Sequence, residues 1–189
     1  MPRHADIPTI LSKTKIKHRV HQLAGEISQY YQSGKLVVVV IIPGGMMFAA
    51  DLLRDLDDTL AVRVEFVVVG WSPDDAQPTM PPNYSALPAG GWDGAQVLIL
   101  DVVHTPHTLA AVREELARRK APKKGIRAAV LIQKKGTTQC TDGLAEHIGF
   151  EDIQASYLIG YGMDFNGKFS TYRQVGRLTD QLRIAVPKG

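Results

Sequence analysis

The chain has 189 residues, 44% of them hydrophobic, and a formal net charge of +3. That size supports one domain with a substantial core, and the apolar content excludes a disordered chain. Cys140 is the only cysteine, so no intrachain disulfide forms; the longest apolar run, Leu36–Ile42, is too short to cross a bilayer; and residues 1–18 have no apolar core between their charges, unlike a secretory signal.

These exclusions lead to the expectation of a cytoplasmic protein with no membrane partner. In chain order, Ile16, Val20, Leu23, Ala24 and Ile27 recur at helical spacing and predict a helix over about Lys13–Gln32, with Ser12 or Thr14 as its cap. Leu36–Ile42 is continuously apolar and β-branched, the pattern of a strand buried on both faces. Pro43-Gly44-Gly45 breaks it, and a second helix runs to about Leu56 with Phe48, Leu52 and Leu56 on one face. Val62–Val69 reads as a strand with Arg63 and Glu65 alternating outward. Trp71–Gln96 is rich in proline and glycine, and a stretch of that length predicts a lid, a binding loop or a disordered excursion. Val97–Val103 and Ile126–Gln133 are further buried strands, and Tyr157–Tyr161 is a shorter one. This alternation predicts an α/β fold, a largely parallel twisted sheet flanked by helices, in one domain over residues 1–189.

A basic cluster, Arg113, Arg118, Arg119, Lys120, Lys123, Lys124 and Arg127, lies close together along a helix end and the loop after it. Cations suit a helix C-terminus, so the cluster reads first as a solvated helix end. Neither it nor the small net charge calls for nucleic acid as a partner.

Residues 97–109 carry the strongest functional signal. An apolar strand ends in the polar turn Asp101-Val-Val-His104-Thr105-Pro106-His107, and a helix follows at Thr108–Arg119. Open α/β sheets place phosphates on a helix N-terminus in this way.

Four segments in order resemble the hypoxanthine-guanine phosphoribosyltransferases. They are the strand-Gly-Gly-helix around Pro43, the loop at Asp101–Thr108, the strand end Val130-Leu-Ile-Gln-Lys134, and Gly149-Phe-Glu with Tyr157-Leu-Ile-Gly-Tyr-Gly-Met-Asp164-Phe. The similarity runs from about Ile10 to Leu178. It implies the phosphoribosyltransferase-like fold, with a small hood from the N-terminal segment and the region after Gly136. It also implies transfer of phosphoribosyl from phosphoribosyl pyrophosphate to a 6-oxopurine, with Mg2+ as cofactor, in a homo-oligomer.

By the same resemblance, Lys134 bonds the purine's exocyclic oxygen, Tyr157 stacks on the base and Leu158 meets its edge. Asp101 and Asp164 are the carboxylates linked to ribose and magnesium. Gly44, Gly45, Thr105, His107 and Thr108 surround the phosphates. His104 replaces an acid beside the purine N7; neutral imidazole, with a pKa of about 6.5, also exchanges a proton. His104 and Asp101 are therefore the catalytic candidates.

The departures fall on the donor side. Leu100 replaces the first acid of the ribose-binding pair, Pro106 replaces a glycine that offers an amide, and Ser170 replaces an arginine. Pro43 replaces a lysine, at a peptide that is often cis in the family; proline tolerates that geometry. The family's Ser-Tyr lid pair is absent, and Tyr84-Ser85 stands in reverse order. Three lost contacts of about 1.5–3 kcal/mol each would total roughly 4–9 kcal/mol, or ~10³- to 10⁶-fold in rate if additive. Two readings follow: a salvage-type transferase with a weakened donor site, or a catalytically silent purine-nucleotide-binding sensor or partner subunit.

Overall fold

The computed structural model describes residues 7–32, 34–71, 78–79, 87–88, 90–103, 105–122, 125–136 and 144–186. In chain order the elements are β1 (Thr9–Leu11), α1 (Lys13–Tyr31), β2 (Gly34–Ile42), α2 (Met46–Asp55), β3 (Leu60–Val68), β4 (Gly70–Trp71) and β5 (Pro78–Thr79). After these come β6 (Ala95–Val103), α3 (Pro106–Arg118), β7 (Ile126–Lys134), β8 (His147–Ile153), β9 (Leu158–Ile159), β10 (Val175–Arg177) and α4 (Asp180–Ala185).

The central sheet has the order β3-β2-β6-β7-β8, and every neighbouring pair is parallel. β2 lies inside it, as its unbroken apolar run requires. Leu36, Val38 and Val40 pack with Ile16, Val20, Phe48 and Leu52 of α1 and α2. Val37, Val39 and Ile41 pack with Leu109, Val112 and Leu116 of α3. The predicted stripe of α1 is buried, and Ser12 caps the helix, its hydroxyl accepting from the Lys15 amide at 3.3 Å.

The chain leaves β2 toward β3 on one side and later returns to β6, from which β7 and β8 extend the other way. The order therefore reverses between β2 and β6. Their C-terminal loops diverge to opposite faces, and an open α/β sheet forms its ligand crevice at that point. A second sheet, β1-β10-β9, is antiparallel and forms the hood. Leu182 of α4 packs beneath it with Ile7, Ile159, Phe169 and Leu178.

Four details differ from the sequence expectation. α3 starts at Pro106, two residues early, with Thr105 as its N-cap. Proline suits that first position because its missing N–H has no helical partner there. The strand expected at Tyr157–Tyr161 contracts to β9, which belongs to the hood, and the fifth strand of the main sheet is β8. β8 escaped notice because it is an edge strand of only intermediate burial, without a clean alternation. Finally, the described residues of 71–96 include paired strands and buried side chains. β4 pairs with β5, Leu87 and Trp92 are buried, and the Trp92 indole donates to the Arg119 carbonyl at 2.9 Å. Residues 72–77, 80–86 and 89, including Tyr84 and Ser85, lie outside the described residues, as does the centre of the expected lid.

The basic cluster is largely matched from within. Arg113 meets Glu146 at 3.1 Å, Arg118 and Arg119 both meet the buried Glu115 at 2.8 Å, and the Arg127 guanidinium lies 3.8 Å from the Tyr30 ring centroid. Lys123 and Lys124 lie outside the described residues.

The joint between α2 and β6 is tight. A Cβ on Gly45 would sit 2.5 Å from the Ile41 carbonyl oxygen and 3.1 Å from that of Leu100. Gly45→Ala is expected to cost about 1–3 kcal/mol by overpacking. Gly90→Ala, with nothing within 4 Å of the added carbon, is expected to change stability by less than about 0.5 kcal/mol. Urea denaturation of both variants checks the pair, and equal midpoints would show that the joint is not constrained.

Candidate functional site

Three backbone segments converge at the crevice. The first is the turn after β2, where the Ile42–Pro43 peptide is cis, as the resemblance led one to expect. In that turn the Gly45 amide donates to Ile41 at 2.9 Å. The second is the end of β6, which lies directly behind Gly45: its ideal Cβ would be 3.4 Å from the Asp101 Cα. The third is the turn at Gly162, whose φ is +97°; a Cβ there would collide with the Gly44 carbonyl oxygen. Glycine is required at Gly162 by both the backbone angle and the close approach. Together these contacts carry the Gly160–Asp164 segment onto the loop that faces Asp101.

Asp101 is 9% exposed, and its Oδ1 accepts from the Val102 amide at 2.7 Å. Burial pushes its carboxyl up to about 7, against the opposing pull of the Val102 and Val103 N–H groups. Leu100 is fully buried among the residues of α1 and α2. The position at which the resemblance expects the first acid of the pair is therefore part of the core.

At the start of α3 the Thr105 side chain makes no capping bond, although its carbonyl accepts from the Leu109 amide at 3.1 Å. Thr108 is buried and His107 is exposed. The first turn holds no acid, so the amides of His107 and Thr108 face outward from the positive end of the helix dipole. Pro106 supplies none. His104 lies outside the described residues.

On the other side of the crevice, Lys134 ends β7 and its Nζ donates to the Ser156 carbonyl at 3.3 Å. Burial holds its pKa below the usual lysine value. Tyr157 follows Ser156; its ring is 38% exposed, and its hydroxyl donates to the Asp164 carbonyl at 3.1 Å. Burial, with the Asp164 charge second, raises the phenol pKa. Leu158 is buried in β9. The Asp164 carboxylate is exposed and accepts from the Gly167 amide at 2.8 Å.

Residues 7–151 match the phosphoribosyl transferase domain family. The chain belongs to the phosphoribosyltransferase family. It is 27% identical over 179 residues to the hypoxanthine phosphoribosyltransferase of Haemophilus influenzae, covering 93% of this chain and 96% of that protein. It is 29% identical over 175 residues to the hypoxanthine-guanine phosphoribosyltransferase of Dictyostelium discoideum, covering 91% and 95%. A crystal structure of the Staphylococcus aureus hypoxanthine phosphoribosyltransferase superposes with a TM-score of 0.81 at 23% identity, covering 95% and 96%. The Trypanosoma cruzi enzyme, in complex with the product IMP, superposes at 0.78 with 23% identity, covering 96% and 100%. These superpositions establish the phosphoribosyltransferase fold.

Among the described residues no three His, Cys, Asp or Glu side chains gather as a ready-made metal site. Magnesium needs less: one or two carboxylates suffice when substrate phosphates complete its shell. The packing of Gly162 on Gly44 and of Gly45 on Asp101 brings the Asp164 turn and Asp101 to one crevice, so the donor set fits a phosphate-bound Mg2+ and not a free one.

A cavity of about 710 Å³ lies elsewhere, between α1, α2 and the hood. Lys13, Lys17, Arg54 and Arg173 line it together with Ser170. Of its two acids, Asp51 is engaged by the Tyr161 hydroxyl at 2.7 Å and by Arg54 at 3.2 Å, and Asp55 lies 3.3 Å from His21. Apart from Ser170, the candidate residues of the crevice lie outside this cavity. Sequence reasoning missed the Tyr161–Asp51 bond; the Gly-Tyr-Gly run was its only signal.

The Asp101 carboxyl holds its proton more tightly folded than unfolded. Its contribution to stability is therefore full below about pH 4 and falls as the pH rises to about 7. Asp101→Asn removes that fall. The variant is expected to gain on the order of a few kcal/mol over the parent at pH 8 and little at pH 4. Denaturant midpoints at the two pH values read the difference, and an equal offset at both would exclude a buried, proton-holding Asp101.

Proposed function

We propose that the chain is a purine-salvage phosphoribosyltransferase of the hypoxanthine-guanine type with a weakened donor site. The observation that carries this reading is the asymmetry of the crevice. Lys134, Tyr157, Leu158 and Asp164 are grouped around β7, β9 and the hood, while the donor side has Leu100 sealed in the core and Pro43, Pro106 and Ser170 in place of donors.

In this reading Tyr157 stacks on the base, Leu158 meets its edge and Lys134 donates to the exocyclic oxygen of a 6-oxopurine. The hydroxyls of Thr105 and Thr108, the His107 amide and side chain, and the amides of Gly44 and Gly45 receive the donor's phosphates. Asp101 orients the ribose hydroxyls. Magnesium would be held by Asp101 and Asp164 with the substrate's own oxygens, and would neutralise charge on the departing pyrophosphate. His104 is the residue proposed to take the purine N7 proton. Phosphoribosyl pyrophosphate and a 6-oxopurine are the substrates, the protein is a cytoplasmic homo-oligomer, and residues 71–96 include a lid.

The second reading is a silent purine-nucleotide-binding sensor or partner subunit, and it is favoured by one observation: the losses all lie on the donor side. Calorimetric titration with IMP, GMP and phosphoribosyl pyrophosphate, each with and without magnesium, separates the two. Magnesium-dependent donor binding with slow IMP formation from hypoxanthine supports the transferase; nucleotide binding without donor affinity supports the sensor. Tyr157→Ala is expected to weaken IMP binding by about 1–3 kcal/mol, the value of one base–aromatic stack. An unchanged IMP affinity in that variant would remove the base-binding assignment from both readings.

A further inference from the structure

The aromatic proposed to carry the base has a cation over its ring. The Arg183 guanidinium lies over the Tyr157 ring at 5.6 Å from its centroid and over Phe165 at 5.7 Å. The two rings meet edge-on, 5.7 Å apart at 81°. Arg183 pairs with the fully exposed Asp180 at 4.0 Å, a distance at which an exposed pair contributes little. The charge that faces the ring from the hood turn is Asp164, whose main chain holds the Tyr157 hydroxyl.

α4 is tied down in a way that delivers this contact. Thr179 caps it, accepting from the Leu182 amide at 3.3 Å, and Leu182 is buried among the hood residues. The Asn166 side chain donates to the Val186 carbonyl at 2.8 Å, pinning the end of α4 to the turn that follows Asp164. Arg183 is thus held at the rings by anchors on both sides of it in the sequence.

We propose that Arg183 is a positioning residue for purine binding, backing Tyr157 on the ring face opposite the base. This rests on the assignment of Tyr157 as the stacking aromatic. A planar guanidinium stacks on one ring face and leaves the other open. It fixes the orientation of a ring that is otherwise partly exposed. It also draws π-density toward itself, which lessens the repulsion between the facing clouds of tyrosine and purine. The base site then extends into α4, beyond the motif that carries Tyr157.

The test compares IMP with ribose 5-phosphate, a ligand without a base, by calorimetry. Arg183→Gln is expected to weaken IMP about three- to tenfold and to leave ribose 5-phosphate unchanged. Arg183→Lys should recover part of the loss. In a Tyr157→Leu background, Arg183→Gln should cost nothing further. IMP binding indifferent to Arg183→Gln, an equal loss for ribose 5-phosphate, or the same loss without Tyr157 would each overturn the inference alone. In the ligand-free protein, the Arg183 side-chain protons should be shifted upfield by the ring currents. If that shift is present and the parent protein binds ribose 5-phosphate but no IMP, the base assignment falls, and this inference with it.

Discussion

The site depends on one close approach. Gly45 lies against the Leu100 carbonyl and the Asp101 Cα of β6, and Gly162 lies against the carbonyl of Gly44. Side chains at these two points would push three backbones apart. The first contact locks α2 to the strand that carries Asp101, and the second locks the hood onto the same loop. The Tyr161–Asp51 bond, adjacent to Gly162, reinforces the second contact from the flank. Without this joint, the residues of the central sheet and those of the hood would belong to separate surfaces.

On that frame the two halves of the crevice have different physics. The base half is made of groups that gain from partial burial: an aromatic ring, a lysine whose stem is covered, and a buried leucine. The donor half must hold a highly charged pyrophosphate, which needs cations and amides. There the chain offers a core leucine, two prolines and a serine. The remaining acid, Asp101, is so well buried that its carboxyl is pushed up to about 7, away from the ordinary carboxylate range. A group in that state is a poor fixed charge for a metal until the donor arrives and displaces the balance toward the carboxylate.

What was readable in the sequence follows from how local the signal is. β2 declared itself because a strand buried on both faces needs no alternation, and α1 did so because its stripe and cap are adjacent in the chain. The turn at Pro43 and the Gly160–Asp164 run were recognisable as motifs. Pro106 read as a lost amide, and only the helix start showed that it also opens α3. The burial of Leu100 agrees with the reading of Val97–Val103 as a buried strand, but its packing against α1 and α2 was not legible, since the apolar run does not say which helix covers which face of β6. β8, β10 and α4 were missed because they are short or lie at an edge, and their stability comes from partners far away in the chain. Arg183 belongs to that group: nothing adjacent to it in the sequence points to a ring 26 positions earlier.

The hood has a consequence for how the molecule comes into being. Thr9 pairs with Gly176, and Gly176 with Ile159, so β1 must wait for a strand more than 160 residues later before it has a partner. Contacts of such long sequence separation close slowly, because the chain entropy between them is lost before the contact rewards it. The parallel sheet needs no residue beyond β8, whereas the hood needs β10. During synthesis the central sheet can therefore exist for a time with its crevice roofless. The purine half of the site is the last to take shape, and an early stop in translation after β8 would leave a sheet with no place to seat a base.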